Sequence, residues 1–201
     1  MRCEERFYEI YGKSPTGISF CPYRICPIGA HSDHNLGKIT GFAIDKGIHI
    51  AYKPKMNGVI EMCSLQFPKR AQWHIREISE KTGDWADYLR GATCALSNRF
   101  PLTVGLSGVI EGSLPIGGLS SSAAVILSFL DALCQVNGIK LEPSELISIA
   151  FDAEKNYVGV NVGTLDQSCE VLTKKDHLLY LDCKDNSYEL IPTNPNMKPY
   201  R

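Results

Sequence analysis

The chain has no run of eighteen apolar residues, no C-x-x-C pair and no surplus of basic residues. Each absence excludes a class of protein. Without a long apolar run there is no membrane-spanning helix to expect. The opening Met1-Arg2-Cys3-Glu4-Glu5-Arg6 runs into charge with no apolar core, unlike a secretory signal. The eight cysteines, at 3, 21, 26, 63, 94, 134, 169 and 183, show no zinc spacing. They are expected to be reduced thiols of a cytoplasmic protein, mostly small core residues. Twenty-one Lys and Arg balance 22 Asp and Glu for a net charge of -1, so no nucleic-acid footprint is expected. The hydrophobic fraction of 44% and charged fraction of 21% are those of an ordinary globular domain.

The patterning mixes two periods. A short helix is expected early in residues 1–20, followed by a Ser14-Pro15-Thr16-Gly17 turn. Ile18–Ile25 suits a strand interrupted by Pro22, and Ile39–Tyr52 a strand or hairpin. Lys55-Met56-Asn57-Gly58 marks a turn, with Val59–Leu65 as the return strand. Residues 84–99 repeat apolar side chains at helical spacing, with Asp84 as N-cap and Pro101 as terminator. Leu102–Glu111 is strand-like, and Leu119–Val136 is a long apolar helix ended by Asn137-Gly138. Glu142–Tyr157 is a further helix with Pro143 in its first turn. Leu178–Asp182 and Tyr188–Ile191 form a final hairpin. Three long helices and a short one among antiparallel strands make an α+β domain.

Three segments concentrate polar chemistry. Leu114 to Ala124 places two glycines and three serines between a strand and an apolar helix. Glycines allow close approach of the backbone, and a helix start offers unpaired N–H groups to an anion. It is neither a Walker loop nor a Rossmann fingerprint. A plain serine-capped turn needs fewer of these residues. Pro22 to Gly37 gathers Arg24, His31, Asp33, His34 and Asn35, groups suited to a polyol, although a solvated loop is the plainer reading. A metal site of His31, Asp33 and His34 is a third reading, with unusual spacing for zinc. Glu154 to Ser168 carries Asp166 in Gly163-Thr164-Leu165-Asp166-Gln167, either an N-cap or a base and electrostatic anchor.

In this order the segments resemble the GHMP kinases, and within them the galactokinases. The family's R-x-N-x-x-G-E-H-x-D-Y-N-x-G motif is matched from Arg24 to Gly37, its P-x-x-x-G-L-x-S-S-A loop from Pro115 to Ala123 with one residue fewer before Gly118, and its M-D-Q by Leu165-Asp166-Gln167. Trp85 and Tyr88 match a W-x-x-Y segment. The resemblance implies a fold like the second domain of ribosomal protein S5, with residues 1–201 forming the amino-terminal lobe. A carboxy-terminal lobe is then expected as partner, and the isolated lobe is expected to be poorly active. It implies ATP and Mg2+ as cofactors and a small sugar or sugar acid as acceptor, phosphorylated at its anomeric hydroxyl. By the same resemblance Gly117, Gly118, Leu119, Ser120, Ser121 and Ser122 cradle the ATP phosphates, with Ser121 or Ser122 near the metal. Trp85 and Tyr88 shape the adenine pocket, where plain core packing fits nearly as well. Asp166 orients or deprotonates the acceptor hydroxyl, and Arg24 pairs with it and steadies the transferring phosphoryl. Ala30, His31, Asp33 and Gly163 line the sugar.

One departure bears on substrate. Galactokinases carry Glu where this chain has Ala30. Two like charges about 4 Å apart repel by roughly 4 kcal/mol at an effective dielectric near 20, nearly a thousandfold in affinity. Ala30 therefore suits a sugar with a C6 carboxylate, and the G-A-H-x-D-H segment is similar to that of plant galacturonate kinases. Other expectations are a galactose or N-acetylgalactosamine kinase, and a non-catalytic sugar sensor.

Overall fold

The computed structural model describes residues 2–115 and 119–194. A sheet is built around one long strand. α1 (Arg2–Tyr11) leads into β1 (Gly17–Ile25), and β2 runs from Lys38 to Lys55 without a break. β3 (Val59–Ser64), β4 (Ala71–His74), α2 (Asp87–Ser97) and β5 (Gly105–Gly112) follow. α3 (Ser121–Asn137), α4 (Pro143–Asp152), α5 (Leu165–Leu172), β6 (His177–Asp182) and β7 (Ser187–Pro192) complete the order. Six of the seven strands lie in the order β4-β3-β5-β2-β6-β7, and β1 pairs with β2 off this path. All pairs are antiparallel except β3 with β5.

Strand periodicity decides the layers. In β1, Ser19, Cys21 and Tyr23 face inward while Ile18 and Phe20 face out, the period of two that puts alternate side chains on opposite faces. Pro22 cannot donate a ladder hydrogen bond, and β1 shifts register between Pro22 and Arg24. A proline is tolerated there because β1 is an edge strand and its pairing with β2 is irregular at that point. Arg24 resumes the pairing opposite Ala43 just past the shift.

The main core lies between the sheet and α2, α3 and α4. α3 is buried nearly all round, including Ile126, Phe129, Leu130 and Leu133, as a central helix must be. Ser19 donates to the Ser128 carbonyl at 2.6 Å, fixing α3 across β1. α1 covers the opposite face through Cys3 and Phe7 on Ala51, Cys63 and Val109. A third cluster, with Ile39, Cys169, Leu179 and Leu181, seats α5 on β2 and β6.

The α+β expectation holds, with corrections. Asp84 is not the N-cap of α2. The helix begins at Asp87 after Ala86, and Asp84 instead accepts the Ala86 N–H and pairs with Arg90 at 2.8 Å. The expected strand from Leu102 starts at Gly105 and ends at Gly112. The expected Glu142–Tyr157 helix divides into α4 and a π-helical turn, Ala153–Val158. β4 and α5 were not foreseen, and among the described residues five α-helices stand where one short and three longer ones were expected. All eight cysteines are free thiols. Among the described residues no helix is long and apolar enough to cross a membrane.

Candidate active site

Two cavities meet at the amino end of α3. One, about 610 Å³, is lined by polar groups from the Arg24–Asp33 segment, the start of α3 and the residues leading into α5. The other, about 160 Å³, is apolar and lies between β5, α2 and the turn after β3. Ser121 and Ser122 line both.

The polar cavity brings together Arg24, Ala30, His31, Asp33, Gly163 and Asp166, the six expected catalytic and sugar-site positions. Arg24 binds one oxygen of Asp166 with two nitrogens, Nε at 2.7 Å and Nη2 at 2.6 Å. The pair is about four-fifths buried, so both groups are largely withdrawn from water yet open to the cavity. Asp166 sits in the first turn of α5, whose N-cap is Thr164. It is therefore no N-cap, the alternative open from local sequence. Thr164 gives α5 no side-chain cap. Asp33 takes that place from a distant segment: its Oδ2 accepts the Leu165 N–H at 3.3 Å, and its Oδ1 accepts the His34 N–H at 3.1 Å. A carboxylate can accept further hydrogen bonds beyond these two. Gly163 packs so closely on the Asp33 carboxylate that a Cβ there would overlap it.

Strained backbone gathers here. His31 and Ser120 have φ of 70° and 62°, in the left-handed region that costs non-glycine residues free energy. Ser120 immediately precedes α3, and the Leu119 carbonyl accepts the Arg24 N–H at 3.4 Å. The loop is thus tied to β1 at the residue that holds Asp166. Gly117 and Gly118, expected in the phosphate cradle, lie outside the described residues. Leu119, Ser120, Ser121 and Ser122 are all on the polar cavity wall.

Trp85 and Tyr88 line the apolar cavity beside Ser121 and Ser122. Trp85 precedes α2, so its helical spacing with Tyr88 was coincidental. It is held by donating to the Lys69 carbonyl at 3.0 Å and by stacking on Phe67, ring centroids 6.2 Å apart and nearly parallel. A buried ion cluster fixes the same segment. Arg90 binds Asp84 and Asp87, at 2.8 and 2.7 Å, and lies over the Trp73 ring. The Arg90 hydrogen bonds hold the Asp84 carboxyl below its ordinary range.

Glu154, quoted in the third segment without a role, is the residue that sequence reasoning missed. It is 1% exposed. Gln167 donates to it at 2.7 Å and Ser122 also hydrogen-bonds it. Burial raises its carboxyl above the ordinary range, and the Ser122 and Gln167 hydrogen bonds pull the other way. Its signal was a carboxylate four residues after Ala150, on the apolar face of α4's pattern. No group of three or more His, Cys, Asp or Glu side chains that could hold a metal occurs among the described residues, which removes the His31, Asp33 and His34 metal reading.

Comparison with known proteins agrees with this layout. Residues 69–174 match the GHMP kinases N-terminal domain model, and residues 5–54 match the galactokinase galactose-binding signature. A galacturonokinase of Arabidopsis thaliana is 34% identical over 94% of this chain and 49% of its own length. A galactokinase of Chloroflexus aurantiacus is 32% identical over 92% of this chain and 48% of its own. The crystal structure of Lactococcus lactis galactokinase complexed with galactose superposes with a TM-score of 0.88 at 28% identity, covering 94% of this chain and 50% of that one. The chain spans about half the length of the curated relatives it matches.

Proposed function

We propose an activity for a chain that belongs to the GHMP kinase family: its protein transfers the γ-phosphoryl group of ATP to the anomeric hydroxyl of a galactose-type sugar, with galacturonate as the preferred acceptor. The observation that carries the proposal is the meeting of an apolar cavity and a polar one across Ser121 and Ser122 at the start of α3. A base, a polyphosphate and a sugar need those three environments in that order.

The roles follow from the geometry. Trp85 and Tyr88 offer the base a flat apolar wall. The unpaired N–H groups of α3 and the hydroxyls of Ser120, Ser121 and Ser122 receive phosphate oxygens. Ser120 Oγ is buried with no partner among the described residues, which leaves it free to donate. Ser122 and Glu154 are the residues that would hold Mg2+, together with phosphate oxygens. Bound there, the ion would neutralise charge developing on the phosphoryl group. Asp166 orients the acceptor hydroxyl and takes its proton. Arg24 holds Asp166 in place and faces the transferred group. His31 and Asp33 hold sugar hydroxyls. Such a site acts mainly through positioning and charge stabilisation. Without a glutamate, the Ala30 position leaves room for a C6 carboxylate, with the His31 and His34 imidazoles on the same cavity wall.

The test is steady-state kinetics on the intact protein with galacturonate, galactose and N-acetylgalactosamine. The expected result is a kcat/KM highest for galacturonate, and a fall of about 10²- to 10⁴-fold in Asp166→Asn with ATP affinity retained. A clear preference for galactose refutes the substrate assignment. An unaffected Asp166→Asn variant refutes the catalytic one and favours a sensor.

A further inference from the structure

The geometry points to Gln66 as the residue that reads the base of the nucleotide, accepting a hydrogen bond from a 6-amino purine and excluding a 6-oxo purine. The inference rests on the nucleotide reading of the apolar cavity and adds its selectivity.

That cavity is walled by rings and aliphatic groups, including Phe67, Trp85, Ile110 and Leu114. Surfaces of this kind stack any purine and distinguish none. Discrimination requires a polar group of fixed hydrogen-bonding sense. Away from the phosphate end, the polar side chains on the wall are those of Tyr23, Ser64, Gln66, Tyr88 and Trp85, and the Trp85 N–H is already given to the Lys69 carbonyl. The hydroxyls of Tyr23 and Tyr88 can donate or accept, so neither selects on its own. Ser64 is spent locally: its Oγ accepts the N–H groups of Gln66 and Phe67, at 3.1 and 3.2 Å, and its hydroxyl points at Gln66 Oε1 from 3.5 Å.

Gln66 differs. Its Nε2 donates to the Gly112 carbonyl at 3.0 Å. A backbone carbonyl only accepts, so the NH₂ side of the amide must face it, and the amide cannot turn over without losing that bond. Oε1 is therefore held as an acceptor, with lone-pair capacity beyond the long Ser64 contact. The carbonyl that sets this sense belongs to Gly112, the last residue of β5 and two before Leu114 on the cavity wall. The strand that leads into the phosphate loop thus also orients the base reader.

The chemistry predicts a selectivity of one sign. An exocyclic 6-amino group donates to Oε1. A 6-oxo group presents a second acceptor to it and is repelled. Gln66 is exposed in this structure, so the expected effect is moderate rather than that of a buried pair.

The test is nucleotide binding to the intact protein, with ATP and ITP as probes, since inosine differs from adenosine only in the 6-oxo, N1-protonated edge. The wild type is expected to bind ATP about tenfold more tightly, the worth of one hydrogen bond. Gln66→Leu is expected to bring the ratio close to one. Equal wild-type affinities, or a ratio unchanged in Gln66→Leu, overturn the inference while leaving the kinase reading intact. Failure of both nucleotides to bind overturns both. Circular dichroism of each variant separates misfolding from a binding effect, and a misfolded Gln66→Leu is replaced by Gln66→Met, for which the same ratio near one is required.

Discussion

Gly163→Ala is the sharpest test of how the site is held together. The φ of Gly163 is not among the positive values in the chain. An alanine can therefore adopt its backbone, and by itself the change would stabilise the fold by about 0.4–1 kcal/mol through the unfolded state. The structure predicts the opposite sign. A Cβ at 163 overlaps Oδ2 and Cγ of Asp33, a carboxylate that is only 9% exposed. Asp33 can yield only by giving up the Leu165 N–H, a hydrogen bond to a charged group worth about 1.5–3 kcal/mol. Otherwise the start of α5 moves, at an overpacking cost of about 1–3 kcal/mol. The net expectation is a loss of about 2–4 kcal/mol. For a chain of this length that lowers Tm by roughly 5–15 °C. Denaturant unfolding of Gly163→Ala, Asp33→Ala and the double variant measures it. With the carboxylate removed, the alanine has nothing to overlap, so the double variant should recover at least about 1 kcal/mol relative to the sum of the singles. Additivity within about 0.5 kcal/mol, or a neutral Gly163→Ala, refutes the account.

Two further predictions concern buried charge. Glu170 is one turn after Asp166 on α5, 7% exposed, with Oε1 lacking a partner among the described residues. Burial raises its carboxyl well above the ordinary range, and the nearby Asp166 charge adds to the rise. The folded state then binds this proton more tightly than the unfolded state does. Its stability contribution is full below the ordinary glutamate pKa and is lost as pH rises toward the folded value. Glu170→Gln should flatten that decline in denaturant midpoints measured from pH 5 to 9, and an unchanged slope refutes the assignment. Arg90→Met should cost about 3–5 kcal/mol in urea unfolding, because it leaves Asp84 and Asp87 without their cation in a buried cluster; a loss under about 1 kcal/mol would show that the carboxylates find other partners.

The elements that carried strong local signals were legible. Pro22 announced an irregular edge strand, and it sits at the register shift between β1 and β2. Asn137-Gly138 announced the end of α3, where Gly138 adopts a φ of 66°. What stayed hidden depends on partners far away in sequence. β4 has four residues and exists because β3 offers it an edge. The π turn after α4 is held by Tyr157 on the Ser79 carbonyl and Lys81 on the Val158 carbonyl, contacts across more than seventy residues. Periodicity had continued the helix straight through it.

Asp166 shows the same limit at the site itself. Locally it was equally good as a helix cap or as a functional carboxylate, because an aspartate after Gly163-Thr164 fits both. The structure separates them by filling the capping job from elsewhere. Asp33, 132 positions earlier, accepts the N–H at the start of α5. Asp166, one residue further on, then spends its charge on Arg24 and the cavity. A cap supplied by another segment leaves no trace in the helix's own sequence, yet it is what frees the second carboxylate. The same contact makes the two motifs one unit: the Asp33 that lines the polar cavity also fixes the turn that carries Asp166. A change that disturbs Asp33 should therefore reach the acceptor hydroxyl twice, through lost sugar contact and through a displaced Asp166, and should lower kcat as well as raise KM.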